Sequence, residues 1–321
     1  GLNMALDERG TLVQAQKTEI REALNPWLTH AAEAVVSVWQ DIDQIDQQLA
    51  DVIGEQPKCR MLYILSPEGV QHSANILQDA IESDFRNQDL SDRPYFTGNL
   101  PWRGITLSNV YSRKSDRKLT ITALFGLNEN ERLLGFIAAD FLLDDLDLLT
   151  SRLLPQTTKW TQFRGDRAIR STLFLQERIA SVLDQHHDSV NASLVSLMQN
   201  RGVFHVLLHF SSARAIIWLL DDPYRYQLMS PDELIQPESV MAYPRHAYSD
   251  DAVVAADRLP EIFERFKQLR NADENIYLRS ASINVMNGII GLTFSCDGSH
   301  YMSADEFLER GIEFWFGKAG G

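Results

Sequence analysis

The sequence predicts an α+β protein in which a long N-terminal helix packs on an antiparallel sheet and a second α+β domain follows. Three observations carry this prediction. Apolar residues from Leu28 to Val52 recur at alternating spacings of three and four, the seam of a long amphipathic helix. Between 60 and 139, short β-branched and aromatic runs alternate with turn clusters. After a polar connector, the chain returns in the order helix, hairpin, helix, hairpin, helix. A length of 321 residues suits two domains at roughly 150 residues each.

The helix comes first. Residues 11–53 read as one element, with Pro26 as the expected kink and Gly54 and Pro57 as its end. At 1.5 Å per residue, the part from 28 to 53 spans roughly 39 Å, more than a small domain needs. Its stripe of Leu28, Ala31, Val35, Val38, Ile42, Ile45, Leu49 and Val52 has two uses. It packs on the chain's own sheet, or it is the seam of a homodimer through 28–53 or a signalling stalk.

The sheet follows. Met61–Leu65 reads as a strand, Ser66-Pro67-Glu68-Gly69 as a turn, and the run near Val70 as a second strand. Ile76–Phe85 is the expected crossing helix. Strands then follow at Ile105–Tyr111, Leu119–Phe125 and Leu133–Ala139, with turns at Lys114-Ser115-Asp116-Arg117 and Asn128-Glu129-Asn130. An antiparallel sheet with a helix between its second and third strands is a PAS-like layout, whose open face the long helix would cover. Asp144-Asp145-Leu146-Asp147 opens a helix through Leu154, its carboxylates at the positive end of the dipole. The expected division is 1–57, 58–155 and 165–321, with Pro155–Gly165 as connector.

In the second half Ser171–Met198 reads as a helix, and Val203–Phe210 with Ala213–Leu220 as a hairpin. Residues 221–257 read as loop-rich on their prolines, and Leu259–Leu269 as a helix. Asn287-Gly288 is a strong hairpin turn between Ile276–Val285 and Ile289–Ser295, because both residues tolerate positive φ. A closing helix is expected at Ser303–Phe316. The domain has the coarse order of a degenerate second sensor module.

Composition excludes more than it assigns. Apolar residues are 44% and charged residues 23%, as in ordinary soluble domains. Thirty Lys and Arg against 44 Asp and Glu leave a net charge of −14, the wrong sign for nucleic acid or an anionic membrane. Cys59 and Cys296 stand far apart without metal spacing and read as free thiols. No apolar run reaches the roughly 18 residues of a membrane span, and the longest, Leu133–Leu143, is broken by Asp140. Because the chain continues into a second α+β region and carries no kinase, cyclase or chemotaxis output signature, the expected location is cytoplasmic, the alternative being the extracytoplasmic part of a trimmed membrane receptor.

Enzyme signatures for nucleotide, nucleophile-elbow, zinc-protease and calcium sites are missing, so the expectation is a non-enzyme without cofactor or metal. An enzyme site within 165–321 stays as the least favoured alternative. His186-His187-Asp188 lies in an expected helix, where adjacent side chains diverge by about 100° and read as a solvated face. His205 and His209 lie roughly 13 Å apart along a strand, too far for one ion.

Two residues stand out chemically. Arg93, in Asp92-Arg93-Pro94-Tyr95-Phe96, offers a planar fork to a carboxylate. Asp140 ends the apolar run Leu133–Ala139, where a buried carboxylate needs a cationic partner. They are either a ligand clamp or an ion pair with each other, in which case the chain is a ligand-free structural protein.

With Leu107-Ser108-Asn109-Val110-Tyr111 and Gly135-Phe136-Ile137-Ala138-Ala139-Asp140, this segment resembles the double-Cache (PDC) sensor superfamily over about residues 20–150. The resemblance implies a PAS-like ligand-binding module after a long helix. It implies that Arg93 and Tyr95 clamp a ligand carboxylate, and that Tyr111 and Asp140 hold an amino group. Two positions depart from the pattern, Gln88 where the family has Tyr and Tyr95 where it prefers Trp. The expected ligand is therefore a small carboxylate-bearing metabolite, an amino acid or short carboxylic acid. Trp102 is a candidate pocket wall. A downstream signalling partner is implied without being named.

Overall fold

The computed structural model describes residues 2–98, 100–101, 103–146, 180–296 and 298–316. Trp102, the helix expected through Leu154, the connector at 155–165, residues 171–179 of the next helix and the tail from Gly317 lie outside them. Two compact units result, Thr11–Leu154 and Pro155–Gly321 with Gly1–Gly10.

In the first unit the helix is two helices, α1 (Leu2–Val36) and α2 (Ile42–Ile53). This corrects the single element expected over 11–53. Pro26 lies inside α1 without ending it, and the break falls at 37–41 instead. Asp41 explains the position: its side chain accepts from the backbone N–H of Asp43 and Gln44 at 3.0 and 3.3 Å, capping α2. Ser37 Oγ donates to the Ala34 carbonyl at 2.7 Å where α1 ends.

The stripe is used internally. Leu28, Ala31, Val35, Ile45, Leu49 and Val52 are all buried within the single chain. Trp27 donates its indole N–H to the Val52 carbonyl at 2.8 Å and meets Phe141 edge-on. Val38 and Ile42 of the same stripe are half-buried.

That sheet contains β1 (Cys59–Leu65), β2 (Asn75–Ile76), β3 (Ile81–Glu82), β4 (Ile105–Leu107), β5 (Tyr111–Ser112), β6 (Leu119–Glu129) and β7 (Arg132–Leu142). Its order is β3-β2-β1-β7-β6-β4, with β5 also on β6. Taking β4 and β5 as one interrupted strand, β2-β1-β7-β6-β4 is the 2-1-5-4-3 order of a PAS-like sheet. The crossing helix expected at Ile76–Phe85 is absent; β2, β3 and a short 3-10 turn at Ser83–Phe85 replace it. Leu77 N–H donates to the Ala80 carbonyl at 2.9 Å in the turn between β2 and β3, and Gln78 Nε2 in that turn donates to the carbonyls of Ile53, Gln56 and Cys59. Ser73 Oγ accepts from Ile64 N at 2.8 Å, and Gln71 Nε2 donates to the Ser73 carbonyl and to Asn75 Oδ1.

The long β6–β7 hairpin turns at Asn130-Glu131, both at positive φ, ending one residue beyond the Asn128-Glu129-Asn130 turn the sequence suggested. Gly135 permits the close approach of β7 to β1, since a Cβ there would lie 2.3 Å from the Leu65 carbonyl oxygen.

The second unit has helices α3 (Val182–Gln185), α4 (His187–Asn200), α5 (Pro231–Ile235), α6 (Leu259–Asn271), α7 (Ala304–Glu309) and α8 (Ile312–Phe316). Its strands are β8 (Val203–His209), β9 (Arg214–Leu219), β10 (Asp222–Met229), β11 (Leu278–Asn284), β12 (Ile289–Phe294) and β13 (Ser299–Ser303), in the order β10-β9-β8-β11-β12-β13. Both hairpins read from the sequence form. Two strands do not match the reading. β10 runs through the stretch taken as loop, because Pro223 falls in an edge-strand bulge between Asp222 and Tyr226. β13 precedes a closing helix that begins only at Ala304 and breaks at Arg310-Gly311. His187 is another correction: it is buried 4% exposed beside Phe210, whereas His186 alone is solvated.

Candidate functional site

The site builds up from the alternation of the first sheet. Met61, Tyr63 and Leu65 of β1 and Phe136, Ala138 and Asp140 of β7 share one face. Leu62, Ile64, Ala139 and Phe141 share the other, where α1 packs through Trp27. The face away from the helices holds an apolar cluster of Tyr63, Leu65, Leu90, Leu124, Phe136 and Ala138, with Tyr95 and Phe96 packed on it. Asp140 stands at the end of this cluster.

Asp140 is 3% exposed. Its Oδ1 accepts from Thr122 Oγ1 at 2.8 Å and Tyr63 Oη at 3.2 Å. Thr122 is placed by register, directly opposite Asp140 across the β6–β7 ladder. Tyr111 Oη lies 2.6 Å from Thr122 Oγ1. Tyr95 joins the ring centres, 6.2 Å from Tyr63 and 6.0 Å from Tyr111. No described residue forms an ion pair with the Asp140 carboxylate. Burial pushes its pKa up to about 6, against the pull of the Thr122 and Tyr63 hydrogen bonds and of the Arg113 charge. Arg113 is itself bonded to Asp116.

Around this carboxylate the other acids are weaker than usual. Burial, then the Asp140 charge, raises the phenols of Tyr63 and Tyr111; burial raises Tyr95, and burial with Asp140 raises the Cys59 thiol. Cys59 is buried and Cys296 exposed, both free.

Arg93 lies on the turn that carries Tyr95 and Phe96. Its backbone N–H donates to the Leu90 carbonyl, and its carbonyl accepts from Phe96 and Thr97. Arg93 is half-buried as a residue, and its charge acts on the Tyr95 phenol. It makes no ion pair with Asp140 or with any other described residue, so the self-paired arrangement is not the one the chain adopts. The turn itself is anchored. Arg86 Nη2 reaches Asp46 Oδ2 on α2 at 2.5 Å and Asp43 Oδ1 at 3.2 Å, and residues 87–90 bond by their backbone to 69–71.

Of the residues singled out in the sequence, Tyr95, Tyr111 and Asp140 come together, and Arg93 stands beside Tyr95. Trp102 lies outside the described residues. Tyr63, Thr122 and Arg113 were not anticipated. Tyr63 shares the face of Asp140 by two-residue alternation, but Thr122 depends on a ladder shift between Leu127 and Asn128 that no motif announces.

Among the described residues, no group of three His, Cys, Asp or Glu is placed to hold a metal ion, and no helix is long and apolar enough to cross a membrane.

No protein-family model matches the chain, and no curated protein matches it. Among solved structures it is similar to the Bacillus subtilis YkuI protein, with an EAL domain, in complex with c-di-GMP and calcium, at 20% identity and TM-score 0.33 over 40% of this chain and 33% of that one. It is similar to the ligand-binding domain of the Pseudomonas fluorescens chemoreceptor CtaA in complex with L-valine, at 15% identity and TM-score 0.31 over 43% and 63%. The chain thus spans a third of the first and under two thirds of the second. Its likeness to the ligand-binding domain of the Campylobacter jejuni chemoreceptor Tlp3 in complex with 4-methylisoleucine covers 97% of this chain and 94% of that one, at 9% identity and TM-score 0.32.

Proposed function

We propose that the first unit is a sensor module binding a small metabolite that carries a carboxylate and, in its best ligands, a protonated nitrogen. Arg93 takes the carboxylate, Asp140 the nitrogen, and Tyr95 and Tyr111 supply walls and hydroxyls. One observation carries the reading. Asp140 is buried with hydroxyl partners alone, while a guanidinium on the covering turn is left without a described partner. A buried charge is costly without a counter-charge, and a structural pair would have joined these two. Opposite charges kept apart on one side of a sheet suit a zwitterion or amino acid between them. The helical layer on the opposite face of the same sheet is the proposed route of the signal to a partner.

The test is a thermal-shift screen of the full chain against the standard amino acids and C2–C4 carboxylates. At least one is expected to raise Tm, with the shift abolished in Arg93→Ala. Asp140→Asn is expected to lose amino-bearing ligands and to retain plain carboxylates. No stabilisation by any compound, or equal stabilisation of Arg93→Ala, overturns the proposal.

A further inference from the structure

Thr122 and Tyr63 lie outside the proposed clamp, yet both reach Asp140, and both reach the same oxygen. Oδ1 accepts from Thr122 Oγ1 and Tyr63 Oη; Oδ2 accepts from no described residue. Because the Thr122 proton is committed to Oδ1, the short contact to Tyr111 requires the phenol to donate to Thr122. A directed chain, Tyr111 to Thr122 to Oδ1, therefore fixes the carboxylate with one oxygen saturated and the other open. All of these donors are neutral, so they orient the charge without balancing it.

We infer that Thr122 and Tyr63 are positioning residues that present the second oxygen of Asp140 to the ligand, and that a proton and a cationic nitrogen compete for that open oxygen. This rests on the reading of the site given above and names its regulation, affinity that falls as the solution turns acid. The exchange balances simply. The O–H bond of the Asp140 carboxyl breaks, its electron pair stays on the carboxylate, and the proton leaves to the buffer. The ammonium keeps its own protons and becomes the counter-ion.

Charged and titratable groups reach the surroundings of Asp140 from each element packed against it. From β1 come Tyr63 and Cys59, from the covering turn Tyr95 with Arg93 and Asp92 beside it, from β5 Tyr111 with Arg113 just beyond it, and from β6 the neutral Thr122. The three phenols and the thiol are raised by burial and stay neutral. Arg113 is raised by its bond to Asp116 and stays charged; Asp116 is lowered despite burial, by that same bond, and stays ionised.

The experiment has two arms on the full chain. In the first, ligand-free protein labelled at the aspartate carboxyl carbon is titrated by NMR, the Asp140 resonance being the one missing from Asp140→Asn. It is expected to titrate near pH 6, to move up by roughly half a pH unit or more in Thr122→Val, and to return in Thr122→Ser, because a lost hydrogen bond disfavours the ionised form. Titration near pH 4, or an unmoved midpoint in Thr122→Val, overturns the inference. In the second, each amino acid that scores in the thermal-shift screen is measured by calorimetry at pH 5 and pH 8 in buffers of different ionisation enthalpy. Binding roughly tenfold weaker at pH 5, with nearly one proton released there, is expected. Equal affinity and no proton release overturn it. If no amino acid binds while the first arm behaves as expected, the ligand reading fails and the positioning of Asp140 stands.

Discussion

Each unit buries a charge, and they handle it in opposite ways. In the second unit Arg270 is fully buried and fully engaged. Its Nε and Nη2 donate to the two oxygens of Asp184 at 3.1 Å each, Nη1 donates to the Leu278 carbonyl at 2.9 Å, and Phe210 and Tyr277 lie against its plane. In the first unit Asp140 is equally hidden but has hydroxyls instead of a cation. Arg270 has geometry and counter-charge together and needs nothing from outside. Asp140 has the geometry alone. A charge completed from within holds a fold together, whereas one left incomplete in a packed core is a candidate for completion from without.

The largest effect expected from this contrast is in the second unit. Arg270→Ala leaves Asp184 buried and uncompensated and is expected to cost about 3–5 kcal/mol in urea unfolding. Asp140→Asn, at an equally buried position, is expected to cost far less at neutral pH because it removes a charge that had hydroxyl partners but no counter-charge. Equal losses from the two substitutions would dissolve the distinction.

The pH dependence sharpens it, since the shifts of Asp140 in the first unit and His187 in the second are opposed in sign. The Asp140 carboxyl is raised above its usual 3.8 to about 6. Its contribution to stability is complete below the lower value and lost as pH rises through the upper one. A difference of about two pH units is on the order of 3 kcal/mol. The advantage of wild type over Asp140→Asn should shrink by about that much between pH 4 and pH 8. His187 runs the other way. Burial lowers it from 6.5 to about 4, with Asp184 opposing. Its contribution is complete above 6.5 and lost as pH falls through 4. His187→Phe is expected to remove that acid loss while keeping the edge contact with Phe210. Urea midpoints at pH 4, 6 and 8 check both slopes, and a parallel response of the two variants would refute the assignment.

The same pair of residues shows how far the sequence could be read. Asp140 was legible because an acid in an apolar strand is conspicuous. Its partner Thr122 was not. Counting back from the Asn130-Glu131 turn with a regular ladder sets Ile121 opposite Asp140, and the one-residue shift at Leu127/Asn128 brings in Thr122 instead. The helix expected at Ile76–Phe85 failed because its apolar spacing was satisfied by two short strands joined through a Leu77–Ala80 turn, where Gln78 bonds to the carbonyls of Ile53, Gln56 and Cys59. The stripe from Leu28 to Val52 was read correctly as apolar and amphipathic, but spacing alone does not tell a sheet from a second copy as its cover. His187 was missed because helix geometry excludes a shared metal with His186 without saying which of the two faces inward.

Between the extremes lies Asp46, a buried acid of the first unit that does have its cation. Arg86 reaches it from the segment leading to the covering turn, and its other oxygen accepts from Ala74 N at 3.1 Å. The Arg86 side chain is 28% exposed, so Asp46 can rehydrate partly when the arginine is removed. Arg86→Ala is expected to cost about 1–2 kcal/mol, less than Arg270→Ala, as fits a charge-assisted bond near the surface. It should also increase amide exchange across residues 86–97, because the turn then keeps only its backbone bonds to 69–71. Exchange confined to α2 would show that the pair serves the helix rather than the turn.

The smallest effect on stability is the most discriminating one. Arg93→Ala is the same chemical change as Arg270→Ala, made where the guanidinium has no described ion pair or hydrogen bond to lose. Its expected cost in urea unfolding is within about 0.5 kcal/mol, the range of surface substitutions that touch nothing essential. A loss of more than about 2 kcal/mol would mean that the arginine is structural after all, as a removed buried ion pair would show. A near-zero loss in stability together with loss of the thermal shift from ligand would separate holding the fold from holding a guest. That separation is what the proposed clamp predicts: the second unit completes its own charge, and in the proposal a ligand joins Arg93 to Asp140 in the first.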